Sequence, residues 1–207
     1  MTPAEQRVLG CLIEKRWTTP DQYPLSLNGL RLAANQLTNR DPVTDYDEAT
    51  IREAAQRLSR YGLARLASGH GSRAAKYRHL AEEALSLDRQ LLAVLAVLLL
   101  RGPQTGGELK SRTERMASFA SLQDVEQALD ILTQRGYARR ADRRPGQKED
   151  RFEHLLGEAQ LGEAQPVEAA PGAPAPTPGP DHVEARLSAL ESDLAALRAE
   201  VAALRGR

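Results

Sequence analysis

The sequence predicts a mostly α protein with small β-hairpins (α+β), in which one helical unit occurs twice and a further helix follows. Three observations predict this: an internal repeat, capping signals spaced for three helices in each copy, and a heptad seam near the C-terminal end.

The repeat sets the frame. Gly62-Leu63-Ala64-Arg65 aligns with Gly136-Tyr137-Ala138-Arg139, and Lys76-Tyr77-Arg78-His79-Leu80 with Arg151-Phe152-Glu153-His154-Leu155, at offsets of 74 and 75. Upstream, Val8-Leu9-Gly10-Cys11-Leu12 matches Val94-Leu95-Ala96-Val97-Leu98 at offset 86, so the first copy carries about 12 extra residues after its first helix. Two copies are too few for a solenoid and make two tandem domains, 1–84 and 85–156.

In copy one, Thr2-Pro3-Ala4-Glu5 forms a capping box with Pro at the first helical position, and Val8, Leu9, Leu12 and Ile13 share one face of a helix ending near Arg16. Ser26 caps a second helix carrying Leu27, Leu30, Ala33, Ala34 and Leu37, which Asn39-Arg40-Asp41-Pro42 stops. Asp45-Tyr46-Asp47-Glu48 reads as a D-x-x-E cap for a third helix with Ile51, Ala55 and Leu58 inward, closed by Gly62. A strand over 63–67, a turn at Gly69–Ser72 and a return over 75–79 make a hairpin. In copy two the helices start near Ser86, Thr105 (with Glu108) and Ser121 (with Asp124), and the hairpin pairs 137–141 with 150–155. Three helices and a hairpin is the order of a winged helix, a helix-turn-helix with a β-hairpin wing.

Residues 157–181 are rich in Pro and Ala and read as an unfolded linker. In 182–207, Val183, Leu187, Leu190, Leu194, Leu197, Val201 and Leu204 recur at alternating spacings of 4 and 3, a coiled-coil seam. The flanking pairs Arg186/Glu191, Asp193/Arg198 and Glu200/Arg205 are opposite in sign across a parallel homodimer, and Leu at both a and d leaves a trimer open.

Charge is spread unevenly. The chain of 207 residues has 28 basic and 28 acidic groups, but the first two segments each hold 12 basic against 10 acidic, and 157–207 holds 4 against 8. That excludes a uniformly basic nucleic-acid coat protein. The longest apolar run, Leu91–Leu100, is too short for the roughly 20 residues a bilayer needs and reads as a helix buried on more than one side. No secretory signal is present, so the expected location is the cytoplasm, without a membrane partner.

No enzyme constellation emerges, and no cofactor or metal site is expected. The single cysteine, Cys11, sits on an apolar helix face, and His79 and His154 are equivalent repeat positions, which favours structure over ligation. The hairpins are basic instead. Wing one offers Arg65, His70, Arg73, Lys76 and Arg78, and wing two Arg139, Arg140, Arg143, Arg144, Lys148 and Arg151. Arginines on a protruding loop suit phosphate or a minor groove. On the third helix of copy one, Arg52, Gln56, Arg57 and Arg60 face outward, although Asp47, Glu48 and Glu53 oppose them; in copy two, Asp124, Glu126 and Asp130 outnumber Arg135. The Thr18–Ser26 loop, stiffened by Pro20 and Pro24, reads as a plug seating the second helix or as a binding loop.

Segments 18–28, 35–43 and 99–105 resemble the YceH-like family of uncharacterised bacterial proteins, as do Gly71-Ser72-Arg73 with Lys76-Tyr77 and Pro145–Glu149 before Arg151-Phe152. The likeness covers about residues 3–156 and implies two winged-helix domains in a cytoplasmic bacterial protein, with no site residues to carry over. Two functions stay open: a homodimer that binds double-stranded DNA, as a regulator, or a non-catalytic scaffold whose winged helices bind a protein partner.

Overall fold

The computed structural model describes residues 1–67, 75–142 and 149–157. The linker, the heptad seam from Val183 to Leu204 and both wing tips lie outside the described residues.

The chain is a mixed α+β protein. Its first half runs α1 (Pro3–Thr18), a 3-10 turn (Pro20–Gln22), β1 (Leu25–Ser26), α2 (Leu27–Ala34), α3 (Glu48–Arg60), β2 (Ala64–Ala67) and β3 (Lys76–His79). A short helix, α4 (Ala81–Leu85), leads to α5 (Arg89–Arg101), β4 (Gln104–Thr105), α6 (Gly106–Thr113), α7 (Leu122–Gln134), β5 (Ala138–Arg140) and β6 (Arg151–His154). Each half closes a three-stranded antiparallel sheet, in the orders β1-β3-β2 and β4-β6-β5. The two-residue strands β1 and β4 are too short to show alternation and were not expected from the sequence.

Local capping explains most boundaries. Thr2/Glu5, Thr105/Glu108 and Ser121/Asp124 all form reciprocal capping boxes, and the Ser26 hydroxyl accepts from the Gly29 N–H. Gly62 and Gly136 both take the left-handed conformation, with φ of 72° and 74°, which ends α3 and α7 and turns the chain into the hairpins.

Three boundaries differ from the sequence reading. The second helix stops at Ala34, because Arg40 Nε donates to the Ala33 carbonyl at 3.0 Å and Arg7 to that of Ala34 at 3.4 Å; Leu37 is left 83% exposed. The N-cap of α3 is Asp47, not Asp45. The Asn35 side chain accepts from the Tyr46 N–H at 2.9 Å and donates to its carbonyl at 2.8 Å, holding that segment extended. Asp88, not Ser86, caps α5, because α4 fills the preceding residues and ends with Ser86 at a φ of 53°.

The Thr18–Ser26 segment is ordered through β3: β1 pairs with it at Tyr77 and Lys76, and the Tyr23 hydroxyl accepts from the His79 N–H at 2.8 Å. The halves share one continuous core. All of Leu91–Leu100 is buried, and α5 packs along α1, so copy one supplies the extra buried side that the apolar run requires. No helix among the described residues is long and apolar enough to cross a membrane.

Candidate nucleic-acid interface

The two hairpins share a register. Ala64 opposes His79 and Ala138 opposes His154, so both ribbons begin at equivalent alanines. One step further, Arg65 opposes Arg78, while Arg139 opposes Glu153.

That single difference changes the electrostatics. Arg139 Nε lies 2.6 Å from Glu153, an ion pair across the strands. Arg140 pairs with Asp150 at 3.0 Å and lies over the Phe152 ring, and Arg151 pairs with Glu108 at 3.0 Å. In half one, Lys76 stands two residues from Arg78 on β3 and shares its face, since side chains alternate along a strand. Arg65, Lys76 and Arg78 thus form a cationic face, and none of them has a carboxylate within ion-pairing distance among the described residues. Like charges directly opposite on a sheet are destabilising, so folding alone does not favour this arrangement.

Helix α3 buries Ile51, Ala54, Ala55 and Leu58 and turns Arg52, Gln56 and Arg60 to the surface, with Arg57 half-buried. Its charges are largely matched. Arg52 pairs with Glu48, and Arg57 with Glu53 at 2.7 Å and Glu5 at 3.6 Å. The Asp47 cap keeps a carboxylate at the N-terminal end, held below the usual carboxylate range by its bond from the Thr50 N–H. Gln56 and Arg60 show no side-chain hydrogen-bond or ion-pair partner among the described residues. On α7, Arg135 turns away to donate to the Ser86 carbonyl at 2.6 Å.

Of the residues expected at the interface, Arg52, Gln56, Arg57, Arg60 and Lys76 thus belong to half one and Arg140 to half two, while Arg73, Arg143, Arg144 and Lys148 lie outside the described residues. Arg65 and Arg78 prove more telling than the third helix. The repeat alignment sets Arg78 against Glu153 and so marks the charge difference, while the pairing with Arg65 comes from the sheet register.

His79 and His154 are structural. Both are buried, and burial pushes each down to about 4, so both are neutral at pH 7; the positive Arg16 adds to the effect on His79, and the chain's α-amino group to that on His154. Trp17 and Tyr23 flank His79, with ring centroids 6.0 and 6.2 Å away. Cys11 is fully buried, and burial pushes its thiol up to about 11, which keeps it protonated and unreactive.

Known proteins share this sequence over most of its length. The family described as "Protein of unknown function, DUF480" matches residues 1–147. A UPF0502 protein of Xanthomonas campestris pv. campestris (strain B100) is 46% identical over 192 residues, covering 91% of this chain and 85% of the relative. One from Geotalea uraniireducens (strain Rf4) is 46% identical over 199 residues, covering 93% and 88%, and one from Shewanella loihica (strain ATCC BAA-1088 / PV-4) is 46% identical over 166, covering 77% of each. With a family match over residues 1–147 and relatives at this identity over nearly the whole chain, the protein belongs to the DUF480/UPF0502 family of uncharacterised bacterial proteins.

Proposed function

We propose that the protein is a non-enzymatic, double-stranded-DNA-binding regulator of the cytoplasm, in which both halves act as winged helices and the first makes the main contact. The carrying observation is the Arg65–Arg78 pair with Lys76 on the same face: three cations with no carboxylate partner among the described residues. Phosphate would relieve their mutual repulsion. Gln56 and Arg60 of α3 add a groove contact, while the matched arginines of half two bind weakly or serve packing. The heptad seam, through its opposite-sign flanking pairs, would join two chains as a parallel homodimer.

Fluorescence anisotropy of the full chain on a mixed-sequence duplex at about 50 mM salt tests this. Replacing Arg65, Arg73 and Arg78 together by Ala should weaken binding and lower the salt slope by about one per lost phosphate contact. Unchanged affinity in the triple variant overturns the reading.

A second reading, a scaffold that binds another protein, is favoured by the matched charges of α3 and by the exposed apolar side chains Leu32, Leu37 and Val43, which precede it in the chain. Absence of any duplex binding at about 50 mM salt would favour it.

A further inference from the structure

A second gathering of charge lies away from the hairpin. A cleft of about 440 Å³ opens where the C-terminal ends of α1, α5 and α6 converge. That volume falls within the roughly 300–1,000 Å³ of small-molecule sites. Val97, Leu100 and Met116 supply apolar lining, and Lys15, Arg101, Arg112 and Arg115 supply positive charge.

The one lining carboxylate is already committed. Glu14 takes a two-pronged bond from Arg40, at 3.1 and 2.6 Å, and lies 3.6 Å from Lys15. Arg112 holds Glu108 at 3.4 Å. Arg101 reaches only the Asn39 side-chain carbonyl, and neither it nor Arg115 has a carboxylate within ion-pairing distance among the described residues. Burial and then the positive charges of Arg112 and Arg40 hold the Arg101 guanidinium below its ordinary value.

Helix ends attract cations, but not this many. Each C-terminus carries about half a negative charge, and the effect fades within one turn. Three such ends cannot neutralise Lys15, Arg101 and Arg115 while Arg40 already offsets Glu14. With Asp41, whose carboxylate also acts on Arg101, a net positive charge is still left over inside a concave, partly apolar site, where an anion is held more strongly than in open water.

We infer that this cleft binds a compact polyanion bearing phosphate or carboxylate groups, gripped by Arg101 and Arg115. The planar guanidinium forks match either group bidentately. The ligand touches α1, the segment before Asn39, α5 and α6, so it ties the two halves together and stabilises them by mass action.

The test uses the full chain without DNA, which keeps it independent of the preceding proposal. Inorganic pyrophosphate and citrate are titrated separately by calorimetry at constant ionic strength set with potassium chloride. Saturable binding of either probe, one per chain, with a raised melting temperature is the expected result, and the probe that binds assigns phosphate or carboxylate. R101Q/R115Q should lose about tenfold or more in affinity, whereas R31Q, outside the cleft, should not. R115Q alone serves if the double variant fails to fold, since Arg115 is exposed. Non-saturating responses to both probes, or equal losses in R31Q, overturn the inference. So does a double variant that loses duplex DNA affinity while its pyrophosphate and citrate responses match the parent's.

Discussion

A Cβ placed on Gly10 of α1 would stand 2.9 Å from Cγ of Leu100 and 3.1 Å from Cβ of Leu99, both on α5. The absence of a side chain at this position sets how closely the halves meet. Alanine would gain about 1 kcal/mol in helix propensity but would force apart a contact whose Leu99 Cβ is fixed to the backbone. Overpacking costs about 1–3 kcal/mol, so G10A should lower stability and G10V should lower it further. Because both halves share this core, urea unfolding should remain one transition at a lower midpoint; parental stability in G10V would show that the helices part freely.

Acid should weaken the fold through the two hairpin histidines. Their folded values of about 4 lie below the 6.5 of an open histidine. The unfolded chain therefore binds more protons between those limits. The stabilisation is complete above about pH 6.5 and is lost as pH falls toward 4. At 1.36 kcal/mol per unit, each histidine accounts for about 3 kcal/mol across that window. Urea midpoints measured at pH 7 and pH 4.5 should differ markedly, and H154Q should shrink the difference; an equal difference in H154Q would assign the acid sensitivity elsewhere.

Arg40 should be the most sensitive polar position. Its guanidinium is fully buried, and besides Glu14 it donates to the Ala33 and Asn39 carbonyls at 3.0 and 2.8 Å. R40M strands a carboxylate and two carbonyls, a loss of about 3–5 kcal/mol. E14Q keeps an acceptor oxygen toward Arg40 and should cost less. The double variant R40M/E14Q should cost less than the two single losses together, because the stranded charge is gone. Denaturant unfolding of the four proteins checks this, and strict additivity would refute the coupling.

These features differ in how far the sequence reveals them. The capping boxes at Thr2, Thr105 and Ser121 are local, four residues long, and were legible directly. The repeat aligns Arg78 with Glu153, but the register that sets Arg65 against Arg78 was not legible, since it depends on how the hairpin turns. The end of α2 was not legible either, since its last carbonyls are taken by Arg40 and by Arg7, which lies 27 residues upstream of Ala34. The cationic cleft was equally hidden. Lys15, Asn39, Arg101 and Arg115 come from distant segments, and the packing of α5 against both α1 and α6 brings them to one place.

The contrast between the hairpins gives the sharpest test of the DNA reading. R78E copies into half one the charge pattern that half two already uses in its Arg139–Glu153 pair. An opposite-charge pair across a sheet is worth about 0.2–1 kcal/mol, and the repulsion it replaces adds to the gain. The melting temperature should therefore rise. If Arg65, Lys76 and Arg78 face phosphate, duplex affinity should fall at the same time and its salt dependence should flatten. A variant that is more stable yet binds less would show that half one keeps its repelling arginines for a ligand. A stabilised variant with undiminished duplex binding would remove this face from the DNA-contacting surface.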